Sequence, residues 1–195
     1  RLVDAARLAQ NEGNENLYAA ALTLKAYAAH KTSDMWGKMP YTEAFKLESD
    51  KIMYPVYDDE PTVYNAILAE LKEAADIFNN GTGSLGVGDI LFHGDVAAWR
   101  KFCNSIRLRV AIRMSSADLP GATAVISEIL NDPNSYPVMT DIDDNAYLYF
   151  PGVTPDQEYW FERLGTTTGV KTDQYRTNDV LISILKDYND PRLPV

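Results

Sequence analysis

A mainly α-helical fold, made of stacked helix pairs with irregular loops and one small β element, is what this sequence predicts. Three observations point to it. Apolar residues recur at i, i+3, i+4 and i+7 in five separate stretches. Those stretches are bounded by residues that start and stop helices. Only one short run, within 136–150, has extended character. The 195 residues fit one domain or a large part of one. A hydrophobic share of 46% is enough to close a core.

The elements follow in order. A first helix over about 1–11 carries Leu2, Ala5, Ala6 and Ala9 on one side and stops at "NEGNEN". A second runs from Asn14 or Asn16 to Thr32, with Leu17, Ala20, Ala21, Leu24, Tyr27 and Ala28 as its apolar stripe. "DMWGKMPYTEAF" (34–45) then interrupts the helical pattern. Gly37 and Pro40 end the helix and redirect the chain. A third helix opens on "YDDEP", whose acids and Pro61 suit the positive end of a helix dipole. Its stripe is Val63, Ile67, Leu71, Ala74 and Phe78, and Asn80–Gly81 stop it.

"GTGSLGVGD" (81–89) is expected to be a flexible loop. It lacks the G-x-x-x-x-G-K-[ST] order of a phosphate cradle, and no strand pattern precedes it. A fourth helix starts at Asp95, a good N-cap, and lines up Trp99, Phe102, Cys103, Ile106, Val110 and Met114. Its cations, Arg100, Lys101, Arg107, Arg109 and Arg113, do not fall on one line and are read as salt-bridge partners. Cys103 sits on the apolar stripe with no histidine near it in sequence, which makes it a packing residue. A fifth helix, "DLPGATAVISEILND", is capped by Asp118 and followed by Pro133. In "SYPVMTDIDDNAYLYFPG", "AYLYF" reads as a strand that Val138 and Met139 could pair with. "DIDDN" opens like a calcium loop at Asp141–Asn145 but lacks the sixth-place glycine and the distal glutamate, so a polar turn is preferred. Residues 151–176 are loop-like, and a last helix carries Leu181, Ile184, Leu185 and Tyr188. Helix lengths and short links suggest antiparallel pairs of the first with the second and the fourth with the fifth. No tetratricopeptide consensus recurs at a 34-residue period.

Composition excludes several functions. A net charge of −10 opposes nucleic-acid phosphates and anionic lipid surfaces. The single cysteine forms no intrachain disulfide, and no run approaches the length of a membrane span. No H-E-x-x-H motif or nucleophile elbow occurs, so no enzyme activity, metal or cofactor is expected. Glu158 and Glu162 stand at i, i+4 as a conceivable carboxylate pair, but acids are plentiful in this chain. Twelve tyrosines hint at a half-wet binding surface.

Four segments carry a family likeness: "DMWGKMPYTEAF", "YPVYDDEPTVYNAILAELKEA", "GDVAAWRKFCNSIRLRVAIRMS" and "YRTNDVLISILKDYNDPRLPV". In that order they resemble the SusD/RagB family of surface glycan-binding lipoproteins of Bacteroidetes. Where the family has Asn-Ser-Leu-Arg-Leu-Arg, Ile106 here replaces the first leucine. The resemblance implies tetratricopeptide-like helix pairs carrying a loop-built ligand face. It implies binding of oligosaccharides, or of peptides in some lineages, without chemistry. It also implies a TonB-dependent SusC-like transporter as partner and attachment to the outer membrane through a lipid anchor. Residues 1–195 are then expected to be an internal piece of a single SusD-like domain, with the lipidated start and the C-terminal part outside it. A helical-repeat adaptor that binds a peptide in a groove is the other class considered.

A sugar offers an apolar face and a rim of hydroxyls, matched by an aromatic ring with Asn, Asp or Arg around it. The segment 156–176 supplies such a set: Asp156, Tyr159, Trp160, Arg163, Tyr175 and Arg176. Trp160 is expected to project and Phe161 to anchor, although either could instead hold the segment to the helices. Trp36 is expected to pack beneath its turn as a plug, the alternative being a sugar-stacking platform.

Overall fold

The computed structural model describes residues 1–153, 158 and 177–193. They fall into two compact units, Arg1–Leu148 and Tyr149–Val195. The first holds α1 (Leu2–Asn11), α2 (Glu15–Trp36), the single turn α3 (Leu47–Asp50), α4 (Glu60–Asn80), α5 (Val96–Met114), α6 (Leu119–Asn131) and a 3₁₀ turn at Ile142–Asp144. In the second, α7 (Asp179–Asp187) is capped by Asn178, which accepts from the Val180 amide at 2.6 Å. Leu181, Ile184 and Tyr188 on the predicted stripe of α7 are exposed.

The helix starts are local chemistry. Asp59 accepts from the Thr62 amide, Asp95 from Ala97 and Ala98, and Asp118 from Gly121. Each satisfies an amide that the first helical turn would otherwise leave open. The core is built by stacking: α1 packs on α2, α2 on α4, α4 on α5 and α5 on α6. Three residues join α1 to α2, a link short enough to force antiparallel neighbours.

The expected stripe of α4 is entirely buried, and so are Trp99, Cys103, Ile106 and Val110 of α5. The stripe of α2 follows the expectation in part. Ala20 and Ala21 of that stripe are buried, with Ala19 and Ala26 deeper still, while Leu17, Leu24 and Tyr27 are half-buried and Ala28 is exposed. This helix is covered by α1 on one side and by α4 and α5 on another, so its small residues go where backbones approach most closely. Cys103 donates to the Leu71 carbonyl at 3.4 Å, and burial pushes its thiol up to about 12. It packs and stays protonated.

Two expectations about loops are corrected. No strand forms over 146–150, nor anywhere among the described residues. The backbone that should have paired with it is engaged elsewhere, because the Met139 amide donates to Ser105 Oγ of α5 at 2.8 Å. The glycine loop is not free either. Asn16 donates to the carbonyls of Gly81 and Gly83, Asn14 donates to Ser84, and Glu15 accepts from the Thr82 amide and hydroxyl. At Gly83 (φ +97°) an added Cβ would lie 2.2 Å from Asn14 Oδ1. The glycine is what lets the loop lie on the start of α2.

In the "DIDDN" turn, Asp141 and Asp144 cap the 3₁₀ helix reciprocally, and Asp144 also pairs with Lys101. The remaining α5 cations largely follow the salt-bridge reading. Arg107 pairs with Glu128 and Arg113 with Asp34, while Arg100 donates to the carbonyls of Asn134 and Ser135.

Candidate functional site

The connection from α2 to α4, residues 37–59, is long and aromatic, and it is built to stay in place. Gly37 (φ +74°) stops α2, and its amide returns to the Ser33 carbonyl at 2.8 Å. Asp58 then clamps the loop on itself. Its amide donates to Met39 O, while its carboxylate accepts from the Tyr41 and Thr42 amides at 2.9 and 2.7 Å and from the Thr42 hydroxyl. The Thr42 amide is the main cause that holds the Asp58 carboxyl below its ordinary range; burial opposes it, and the Thr42 hydroxyl and the Tyr41 amide add to the lowering. Glu43 closes a second link by accepting from the Val56 amide at 3.0 Å.

One ring stakes this loop to the core, and it is not the expected one. Trp36 is 75% exposed, whereas Tyr41 is 6% exposed. The Tyr41 hydroxyl donates to Glu70 of α4 at 2.6 Å, and Lys25 of α2 reaches the same carboxylate at 2.5 Å while lying over the Tyr41 ring. Burial, then the Glu70 hydrogen bond and charge, push the Tyr41 phenol up, so it remains a donor. A tyrosine can hold such a buried place because its hydroxyl meets a partner there. The end of α2 offers Trp36 no comparable place, and the plug role passes to Tyr41.

With the backbone fixed, the loop presents its apolar side chains outward. Tyr54 is 86% exposed, and Trp36, Phe45, Met53 and Tyr57 are all exposed as well. Phe45 (φ +64°) and Lys51 (φ +59°) hold left-handed backbone without being glycine. A bulky residue rarely adopts that conformation unless its surroundings impose it. Aromatic faces held at fixed positions in water are what stacking on a flat partially apolar ligand requires.

Among the sequence-predicted site residues, Trp36 lies on this surface. Asp156, Tyr159, Trp160, Arg163, Tyr175 and Arg176 lie outside the described residues, as do Phe161 and Glu162; Glu158 is partly buried. Sequence reasoning missed Tyr41, Asp58, Glu43 and Glu70. "YDDEP" marks Asp58 and Asp59 alike as helix-start acids, and only Asp59 is the cap. A carboxylate that binds amides 16 and 17 residues away leaves no local signature.

The model of a protein family described as starch-binding and associating with the outer membrane, SusD-like, matches residues 2–195. The chain belongs to the SusD-like family. Solved structures agree with this SusD-like assignment. A chitin-binding protein is 28% identical at a TM-score of 0.76, with 99% of this chain and 39% of that one covered. A candidate outer membrane protein for nutrient binding from Bacteroides vulgatus is 26% identical at a TM-score of 0.76, with 98% and 41% covered. A SusD homologue from Bacteroides fragilis, 24% identical, has the same fold at a TM-score of 0.78, with 98% and 40% covered. The SusD-like chain thus spans about two fifths of the length of these structures. No match was found among curated proteins. The stacked helix pairs α1 to α6 are the tetratricopeptide-like scaffold that the family resemblance implies.

Proposed function

We propose that the full-length protein binds oligosaccharides at the outer-membrane surface and passes them, without chemistry, to a TonB-dependent SusC-like transporter. In this reading a lipid anchor outside residues 1–195 holds the protein to the membrane, and these residues form part of one SusD-like domain. The observation that carries the reading is the match of a starch-binding, outer-membrane-associated family over 2–195. The exposed aromatic loop supports it, since Trp36, Tyr54 and Tyr57 offer ring faces beside polar groups. Tyr159, Trp160 and Tyr175, with Asp156, Arg163 and Arg176, are proposed from sequence as further ligand contacts.

Contacts of this kind bury little area and compete with water for each hydrogen bond. Dissociation constants are expected in the micromolar to millimolar range, about −8 to −4 kcal/mol. Neutral glycans should bind with little dependence on salt, because no ion pair is screened. The test is calorimetry on the full-length protein against plant, host and microbial glycans, alongside a reducing-end assay. Binding that weakens in Trp36→Ala or Trp160→Ala, with no new reducing ends, is the expected result. Binding of peptides and of no glycan would replace this reading with the peptide branch of the family. Turnover abolished by Glu158→Gln would replace it with an enzyme.

A further inference from the structure

A second feature lies in the helical scaffold itself. A cavity of about 510 Å³ opens where the last turns of α2, the first turns of α4 and the junction of α5 with α6 meet. That volume lies in the range of small-molecule sites. Its inner wall is Tyr64, 8% exposed, whose hydroxyl donates to Asp34 Oδ1. Arg113 Nε lies 3.2 Å from the other oxygen of Asp34, so this carboxylate is both oriented and neutralised. Behind them His30 is 2% exposed and stands edge-on to the Tyr64 ring at 5.8 Å. Its Nδ1 is 3.6 Å from Asp34 Oδ1, with no hydrogen-bond partner. Burial first, and then Asp34, pushes the Tyr64 phenol up to about 12, so the wall stays a neutral donor.

The mouth is polar and of mixed character. Asn65 brings an amide, Glu60 and Asp118 bring carboxylates, and Arg113 is more than half exposed, so part of its guanidinium faces water. Donors and acceptors thus both line the mouth, and Pro61, Met114 and Ala117 join Tyr64 as its apolar lining. A polyol needs both kinds of group at its rim and an apolar surface for its C–H face. The charge balance narrows the class further. Three carboxylates face one guanidinium, in a chain that carries −10 overall. A uronate or a phosphate would meet repulsion here, and an ammonium group would meet attraction at Glu60.

We propose that this cavity is a sugar subsite within the helical scaffold, taking a neutral or amine-bearing sugar residue and rejecting acidic ones. It rests on the oligosaccharide reading above and adds a place and a charge preference to it. Glu60 sets the preference for an amine, Asn65 binds ring hydroxyls, and the Tyr64–Asp34–Arg113 unit keeps the wall in shape.

The test is calorimetry on the full-length protein with chitosan, malto- and galacturonate oligomers, repeated on Glu60→Gln and Asn65→Ala. Both positions are exposed, and a thermal melt checks that each variant folds. Glu60→Gln is expected to weaken chitosan-oligomer binding about threefold, the size of an exposed ion pair, and to leave malto-oligomer binding unchanged. Asn65→Ala is expected to weaken both about fivefold, the size of a net hydrogen bond. Galacturonate oligomers are expected to bind weakest. Unchanged binding in both variants, while Trp36→Ala or Trp160→Ala weakens it, would overturn the subsite and leave the glycan reading standing. Equal affinity for galacturonate would overturn the charge preference. Failure of the wild type to bind any glycan would overturn the subsite together with the reading it rests on.

Discussion

Two connections, 37–59 and 81–95, lie at opposite ends of α4, and the chain holds both in the same way. In each, side chains take hold of the backbone: Asp58 and Glu43 in the first, Asn14, Asn16 and Asp89 in the second. What they do with their aromatic rings differs. The second turns Phe92 inward, where it meets Trp99 and Phe102 edge-on at 5.3 and 5.7 Å. Asp89 fastens that cluster by accepting from the Trp99 indole at 2.7 Å and from the amides of Leu91, Phe92 and Gly94. Burial opposes the charge on Asp89, but these four donors outweigh it and keep its carboxyl below the usual range. The first connection buries Tyr41 alone and leaves Phe45, Tyr54 and Tyr57 in water. The first connection is thus held by polar contacts and one buried ring, and its other rings stay exposed.

The largest effect that would sharpen this contrast is at Trp99. Trp99→Ala removes a ring that is 4% exposed and is expected to cost roughly 3–5 kcal/mol in a denaturant melt. A loss under about 1 kcal/mol would mean that the Phe92 cluster is not the keystone of the second connection. Next comes Gly83→Ala. It sets a Cβ against Asn14 at a left-handed backbone position, and a cost of about 1–3 kcal/mol is expected. A neutral result would show that the loop reaches α2 by some other conformation.

Asp58→Asn tests the clamp of the first connection. Global stability should change little, while the Tyr41 and Thr42 amides should exchange faster with solvent. The same clamp has a pH dependence with a definite sign. The Asp58 carboxyl titrates lower when folded than when unfolded. Its contribution is therefore whole above about pH 4 and is lost as the pH falls through the lowered value. Exchange at 41–42 that ignores acid would break the comparison, for the loop would then be ordered without its carboxylate. The smallest effect on stability belongs to Trp36→Ala, within about 0.5 kcal/mol. A large loss in a thermal melt would show that Trp36 is a packing residue and that this connection resembles the other one.

The helices that the sequence by itself determined are those whose causes are local. Asp59, Asp95 and Asp118 cap amides two or three residues away, and the stripe from Val63 to Phe78 repeats at a period that admits one solution. Trp99 belongs to the core on the same ground. The family, too, was legible, because its motifs are stretches of contiguous residues. Tertiary structure alone decided which ring of "WGKMPY" goes inside. Trp36 is the larger hydrophobe, but Glu70 and Lys25, which arrive from other helices, complete a site for a phenol. It decided as well that 146–150 forms no strand, by giving the Met139 amide to Ser105, and that the glycine loop is pinned, by bringing Asn16 beneath it. These outcomes share a physical reason. A buried polar group is worth its place only with its partner present, and these partners lie 16 to 67 residues away in the chain, beyond the reach of any periodicity.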